Sequence, residues 1–256
     1  MNQPAPEPTF LGRFSDEELV LLDAEHGLVN LPQYNAMNRR QQDRALAGGL
    51  RMLQAREGGL DIDAGTVDLP QHQCDLFDFR SGASCVLMMQ ILRPEPGGEV
   101  GLVHDHYAFV DDDFVLLEDV DVEGMHDYWA LHLHELVGAL QARIPEQLDG
   151  QDGAGEPVTV DLSAVAAGQS TATIDLVGRA LIQIDATVWR APATPDPVLC
   201  SVVVGDRGTY ATVAIDGARG PITMVPISRT RLGQEVVRLL DPDRHDSDSV
   251  TLTPAP

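Results

Sequence analysis

Apolar and polar residues alternate along this chain with two different periods, and the change falls near Cys85. Before it the spacing is helical. In "SDEELVLLDAEHG", Ser15 stands as an N-cap with Glu18 three residues on, the pairing of a capping box, and Gly27 supplies a stop. From about Tyr34 to Glu57, Met37, Leu46, Leu50 and Leu53 recur at intervals near three and four, which predicts a second helical region. The Gly48-Gly49 pair should weaken or bend it, and Gly58-Gly59 should end it. Residues 60–84 read as irregular, with a short extended piece around Asp61–Asp68.

From Cys85 the pattern becomes that of strands and turns. "CVLMMQILR", "EVGLVHDHYAF" and "FVLLED" read as strands separated by "RPEPGG" and "DDD". "DVEG" turns the chain into "MHDYW", and a helix follows through "LHLHELVGALQARI", where Leu133, Leu136, Val137 and Leu140 form one apolar stripe. "EQLDGQDGAGEP" reads as an exposed linker. The outline then repeats: strands at "ALIQIDATVW", "VLCSVVV", "TYATVAI" and "PITMVPI", then a helix at "SRTRLGQEVVRLL" with Ser228 as N-cap. A shift of 96 positions lays 85–144 over 181–240 without a gap, placing Gly124 on Gly220 and Leu136 on Leu232. "DLSAVAAG" and "TATIDLVGRA" would supply short helices ahead of the second unit. Two such units predict an α+β fold, an antiparallel sheet with helices at its ends or faces.

Composition then narrows the chemistry. The formal charge is −23, from 40 acidic residues against 17 basic ones, all arginine. Such a surface repels nucleic acid and anionic membranes, so the expected partners are proteins or small molecules. The absence of lysine excludes a phosphate-loop lysine and a Schiff-base lysine. The three cysteines are widely spaced and suggest no disulfide framework; Cys85 and Cys200 read as small core residues. The opening "MNQPAPEPTF" is not a signal peptide, and no apolar run approaches a membrane span, so cytoplasm is the expected location.

Five of the eight histidines lie between His104 and His134. On a strand His104 and His106 share a face with Val100, Leu102, Ala108 and Val110, the more buried side, and His106 would lie opposite Glu118 or Asp119. Two histidines and a carboxylate could hold zinc, which is the alternative reading of a small metal-dependent enzyme. Against it stand the lack of any H-E-x-x-H or C-x-x-C motif and the acidity of the chain, in which strand-end imidazoles pair with neighbouring acids. His132 and His134, two apart on a helix, would face different ways. Trp129 and Trp189 read as core. Arg39, Arg40 and Arg44 read as an internal ion-pair patch or as part of a contact with an acidic partner. No catalytic, cofactor-binding or metal-ligating residue is assigned, and no cofactor.

"FSDEELVLL", the Arg-rich helix running into "ALAGGLRMLQAREGGL", and the closing "GTYATVAIDGARGPITMVPISRTRLGQEVVRLL" together resemble the EspG-type chaperones of actinobacterial type VII (ESX) secretion. The likeness is one of layout, over roughly residues 10 to 241. It implies two quasi-symmetric meander-plus-helix halves sharing a central antiparallel sheet, flanked by helical bundles. It also implies a non-enzymatic cytosolic chaperone that binds secreted helical clients of the PE/PPE type, with no catalytic residues to transfer. The expected layout is one pseudo-symmetric domain. Residues 1–10 would form a flexible arm and 11–145 an N-terminal half; 146–157 would be a linker, 158–241 a C-terminal half and 242–256 a disordered tail.

Overall fold

The structure is a computed structural model, and it describes residues 8–56, 60–61, 66–67, 69–94, 100–145, 150–161, 172–190, 198–213 and 221–240. The chain forms two compact units. The first comprises residues 1–92, 101–135 and 190–193, and the second comprises 93–100, 136–189 and 194–256.

In the first unit β1 (Thr9–Ser15) leads into α1 (Asp16–Leu21), α2 (Pro32–Ala36) and α3 (Arg39–Ala55). A two-strand ladder pairs β2 (Leu60–Asp61) with β3 (Thr66–Val67), and α4 (Gln71–Gly82) follows. The meander β4 (Cys85–Pro94), β5 (Val100–Asp111), β6 (Phe114–Val120) and β7 (Met125–His132) completes it. The strand order is β1-β7-β6-β5-β4, with β1 antiparallel to β7. A 3-10 turn (Leu133–Glu135) leads out of β7.

The second unit carries α5 (Leu136–Arg143), β8 (Val158–Val160), α6 (Ala172–Val177) and a meander of β9 (Ala180–Arg190), β10 (Val198–Gly205), β11 (Thr209–Val213) and β12 (Ile222–Pro226). Its strand order is β9-β10-β11-β12-β8, so an early strand again flanks the last strand of the meander. A 3-10 turn (Arg229–Arg231) and α7 (Leu232–Val237) close it.

The predicted repeat is visible element by element. Shifted by 96, β4 starts within one residue of β9, the 3-10 turn 133–135 falls on 229–231, and α5 and α7 both begin on buried leucines, Leu136 and Leu232. The two helices pack together, and Gly233 allows it: a Cβ there would sit 2.7 Å from the Val137 carbonyl oxygen. The class is α+β, with two quasi-symmetric halves.

Several expectations need correction. The stretch 60–84 is not irregular at its end, because α4 occupies 71–82. Its apolar residues Leu76, Phe77 and Phe79 are few among polar ones, so its helical period is faint in the sequence. Strand β1 begins inside the stretch read as an arm; residues 1–7 of that stretch lie outside the described residues, as does the tail from 241. The helix begun at Ser15 ends at Leu21 rather than near Gly27. Helix α3 runs unbroken through Gly48-Gly49, the pair expected to weaken or bend it. Gly49 lets α3 lie on α1, since a Cβ there would meet Glu17 Cβ at 2.9 Å. The stretch read as exposed linker is tied down at Gln151 and Gly153, whose N–H groups donate to Gly205 and Ile227 carbonyls. Of the two segments proposed to precede the second meander, the later one forms α6, and the earlier lies, from residue 162 on, outside the described residues.

The capping box at Ser15 forms as predicted: Ser15 Oγ accepts from the Glu18 N–H at 3.3 Å, and the Ser15 N–H donates to Glu18 Oε2 at 2.9 Å. Gly124, in the β6–β7 turn, has a φ of +75° and no room for a side chain, since a Cβ would sit 2.9 Å from the Asp16 carboxylate. Gly124→Ala is therefore expected to lower the unfolding free energy by about 1–3 kcal/mol in urea denaturation; an unchanged midpoint would refute the tight fit.

Candidate functional site

Two features of the first unit stand out: an apolar groove and a charge cluster in the core beside it. Helix α4 presents His72, Asp75, Leu76 and Phe79 along one side at helical spacing. The facing sheet surface offers Thr9 and Leu11 from β1, Phe114 and Leu116 from β6, and Ala130 and His132 from β7. Between them lies a groove of about 550 Å³. The small Ala130 leaves space that a larger side chain on the strand would fill. Phe114, at the β5–β6 turn, is 58% exposed, the most exposed of the large apolar side chains among the described residues.

The polar rim of this groove is acidic and histidine-bearing. Glu135 Oε2 accepts from the His132 N–H at 2.7 Å, while its Oε1 is buried without a hydrogen-bond partner among the described residues. The His132 ring lies 5.2 Å from that of Phe114 and stacks on His134 at 5.6 Å. The two histidines do meet, contrary to the helical expectation, because His132 ends a strand and His134 sits in a 3-10 turn. An apolar side chain fits this arrangement, since the groove walls are mostly hydrocarbon.

Behind the groove Arg80, Glu118, His126 and Asp16 form a buried cluster. Arg80 Nε and Nη2 donate to the two oxygens of Glu118 at 2.8 and 2.9 Å, and Arg80 Nη1 donates to the Ala24 carbonyl. His126 Nδ1 lies 2.6 Å from Glu118 Oε1, and its Nε2 lies 2.8 Å from Asp16 Oδ1. A neutral imidazole has one N–H, so a ring between two carboxylates satisfies both only as the cation. Tyr128 donates to Glu118 Oε1 at 3.0 Å. Two acids and two cations balance. Burial works against the charge on His126, but the hydrogen bonds to Asp16 and Glu118 outweigh it and hold its pKa above the ordinary value. Burial likewise opposes the Glu118 carboxylate, and Arg80 and His126 together hold its pKa low.

The histidines singled out first have a smaller part. His104 is exposed, and its ring stacks on His106 at 5.9 Å. The register pairs His106 with Asp119, not Glu118, and His106 Nδ1 lies 2.7 Å from Asp119 Oδ1. Both faces of β5 are buried from Asp105 to Val110, so the face bearing His106 is not the more buried one. Among the described residues no cluster of His, Cys, Asp or Glu could hold a metal ion. Cys200 is buried, which pushes its thiol pKa up to about 12, while Cys85 is only half-buried. Trp129 is half-buried and packs edge-on against Phe10 at 4.9 Å; Trp189 is half-buried too. Arg39, Arg40 and Arg44 are exposed on α3 rather than set in an internal patch. Sequence reasoning missed His72, Asp75 and Phe79, whose i, i+3, i+7 spacing was the available signal.

Comparison with known proteins concerns this same scaffold. Its layout of strands and helices matches the type VII secretion chaperone EspG5 of Mycobacterium tuberculosis, solved in complex with a PE25–PPE41 dimer, with a TM-score of 0.55 over 90% of this chain and 95% of that one. The fold is EspG-like. Sequence identity over the match is 12%, so the EspG-like character lies in the backbone arrangement. No family model matches the chain. A 78-residue stretch is 38% identical to the GDP-mannose 4,6-dehydratase sdnI of Sordaria araneosa, covering 30% of this chain and 14% of that protein. The chain thus spans about a seventh of that relative, and it contains no G-x-G-x-x-G dinucleotide fingerprint.

Removing one member of the cluster strands a buried charge, so Arg80→Met is expected to cost about 3–5 kcal/mol in chemical denaturation. The pH dependence has a defined sign. Because the folded pKa of His126 is raised, its contribution is complete below the ordinary histidine value of about 6.5 and is lost as pH rises through the folded value. The stability gap between the native chain and His126→Gln should therefore shrink as pH rises; a gap that widens would rule out the imidazolium.

Proposed function

We propose that this EspG-like chain is a non-enzymatic cytosolic chaperone that binds a secreted helical client of the PE/PPE type and delivers it to a type VII secretion system. The observation that supports this reading most is the EspG5 match along 90% of the chain, EspG5 itself having been solved with a PE–PPE dimer bound. Physically, the chaperone covers apolar client surface that would otherwise aggregate. The α4 groove suits such a client because it is apolar, open and bordered by the exposed Phe114, so that a client helix can lay one side chain into it. A net charge of −23 keeps the loaded complex soluble and discourages non-specific association. No described helix is long and apolar enough to cross a membrane.

The test is purification of the chain from its native host, identification of the bound protein, and reconstitution of the complex from purified components. Recovery and reconstitution of a PE–PPE-type dimer is the expected result; failure to reconstitute with any such dimer at micromolar concentrations would sink the reading. Phe114→Asp should leave the fold intact and weaken client binding at least tenfold, since burying one phenylalanine side chain is worth about 1.5–3 kcal/mol. Unchanged affinity would move the client site off this groove.

A further inference from the structure

Helix α3 turns an arginine face to solvent in a chain with 40 acidic residues against 17 basic ones. At about 100° per residue, the buried Gly49 and Leu53 mark the side that meets α1. Arg40, Arg44 and Arg51 lie on the opposite side, and all three are exposed. Ala47 and Ala55 are exposed on the same face, so one row reads Arg40, Arg44, Ala47, Arg51, Ala55. Some arginines elsewhere pair with acids: Arg13 with Asp127, Arg56 with Glu18, Arg80 with Glu118 and Arg238 with Glu235. The exposed Arg207 and Arg231 pair with none among the described residues, but they stand singly rather than in a row. Among the described residues Arg40, Arg44 and Arg51 pair with nothing, even though Asp43 shares their helix. Three cations in a row, with no acid paired to them among the described residues, form a basic surface complementary to an acidic partner.

We propose that this face docks an acidic α-helix of a partner protein alongside α3. Carboxylates spaced as i, i+4 and i+11 on the partner meet Arg40, Arg44 and Arg51, and the two alanines let the helix backbones approach. The row is straight and about 16 Å long at 1.5 Å per residue, which matches three turns of a helix. A guanidinium fork matches a carboxylate in two parallel hydrogen bonds. A nucleic acid or an anionic membrane would extend past the row into the acidic remainder of the surface and be repelled. The inference goes beyond the proposed chaperone function and does not depend on the α4 groove.

The probe is a stapled helical peptide of about 18 residues with glutamates at i, i+4 and i+11, read by fluorescence anisotropy against the full chain. The acidic peptide is expected to bind at least tenfold more tightly than its glutamine counterpart, and to lose at least tenfold in affinity between about 0.05 and 0.5 M salt. The triple variant Arg40→Glu/Arg44→Glu/Arg51→Glu should melt like the native chain, since the changed side chains face solvent, yet lose binding at least tenfold. Equal binding of the two peptides, or full binding by the triple variant, would overturn the proposal. So would tighter binding of duplex DNA or of phosphatidylserine vesicles than of the acidic peptide.

Discussion

Four charges withdrawn from water hold the first unit together. Arg80 comes from α4, Glu118 from β6, His126 from β7 and Asp16 from the start of α1, so the cluster joins two helices to two strands. Each ion is costly to bury alone, and only the complete set is neutral and hydrogen-bonded. Asp16 extends the dependence further. Its second oxygen accepts the N–H groups of Gln33 and Tyr34 at 2.8 Å each, and so caps α2, whose own N-cap residue, Leu31, supplies no side-chain bond. Without the cluster, α1, α2 and α4 lose the contact that sets their place on the sheet.

The repeat shows that this solution is a choice rather than a necessity of the fold. Shifted by 96 positions, Arg80 corresponds to Leu176, His126 to Ile222, Tyr128 to Met224 and Tyr107 to Val203. Those residues pack with Val160, Val177 and Tyr210 as an ordinary apolar core. An apolar core of similar volume is commonly as stabilising as buried ions. What the ionic version adds is direction, because hydrogen bonds between charges are satisfied in one arrangement of the elements, whereas apolar contacts tolerate several.

The same unit carries surfaces of opposite character. The α4 groove is apolar with an acidic rim, and its wall rests on Leu76 and Leu116, both part of the core that encloses the cluster. The outer side of α3 is basic. Arg56, at the end of α3, belongs to the inner side: it binds both Glu18 oxygens at 2.7 and 2.9 Å and lies 4.3 Å above the Phe14 ring. One helix thus divides its arginines between an internal tie and an open face, and only their angular position on the helix separates the two uses.

Much of this was legible in the chain. The capping box at Ser15, the meanders and their offset of 96 all follow from local backbone geometry, which writes a period of two or 3.6 into neighbouring residues. The groove was half legible, since β6 and β7 were read and α4 was not. The charge cluster was not legible at all. Asp16 and His126 are 110 positions apart, and Arg80 and Glu118 are 38 apart. In a chain with 40 acids, no local pattern says which of them a given cation will meet. The sequence by itself determined the elements and their repetition; only the tertiary structure decided which charges are buried together and which arginines stay outside, because those pairings arise from packing between distant segments.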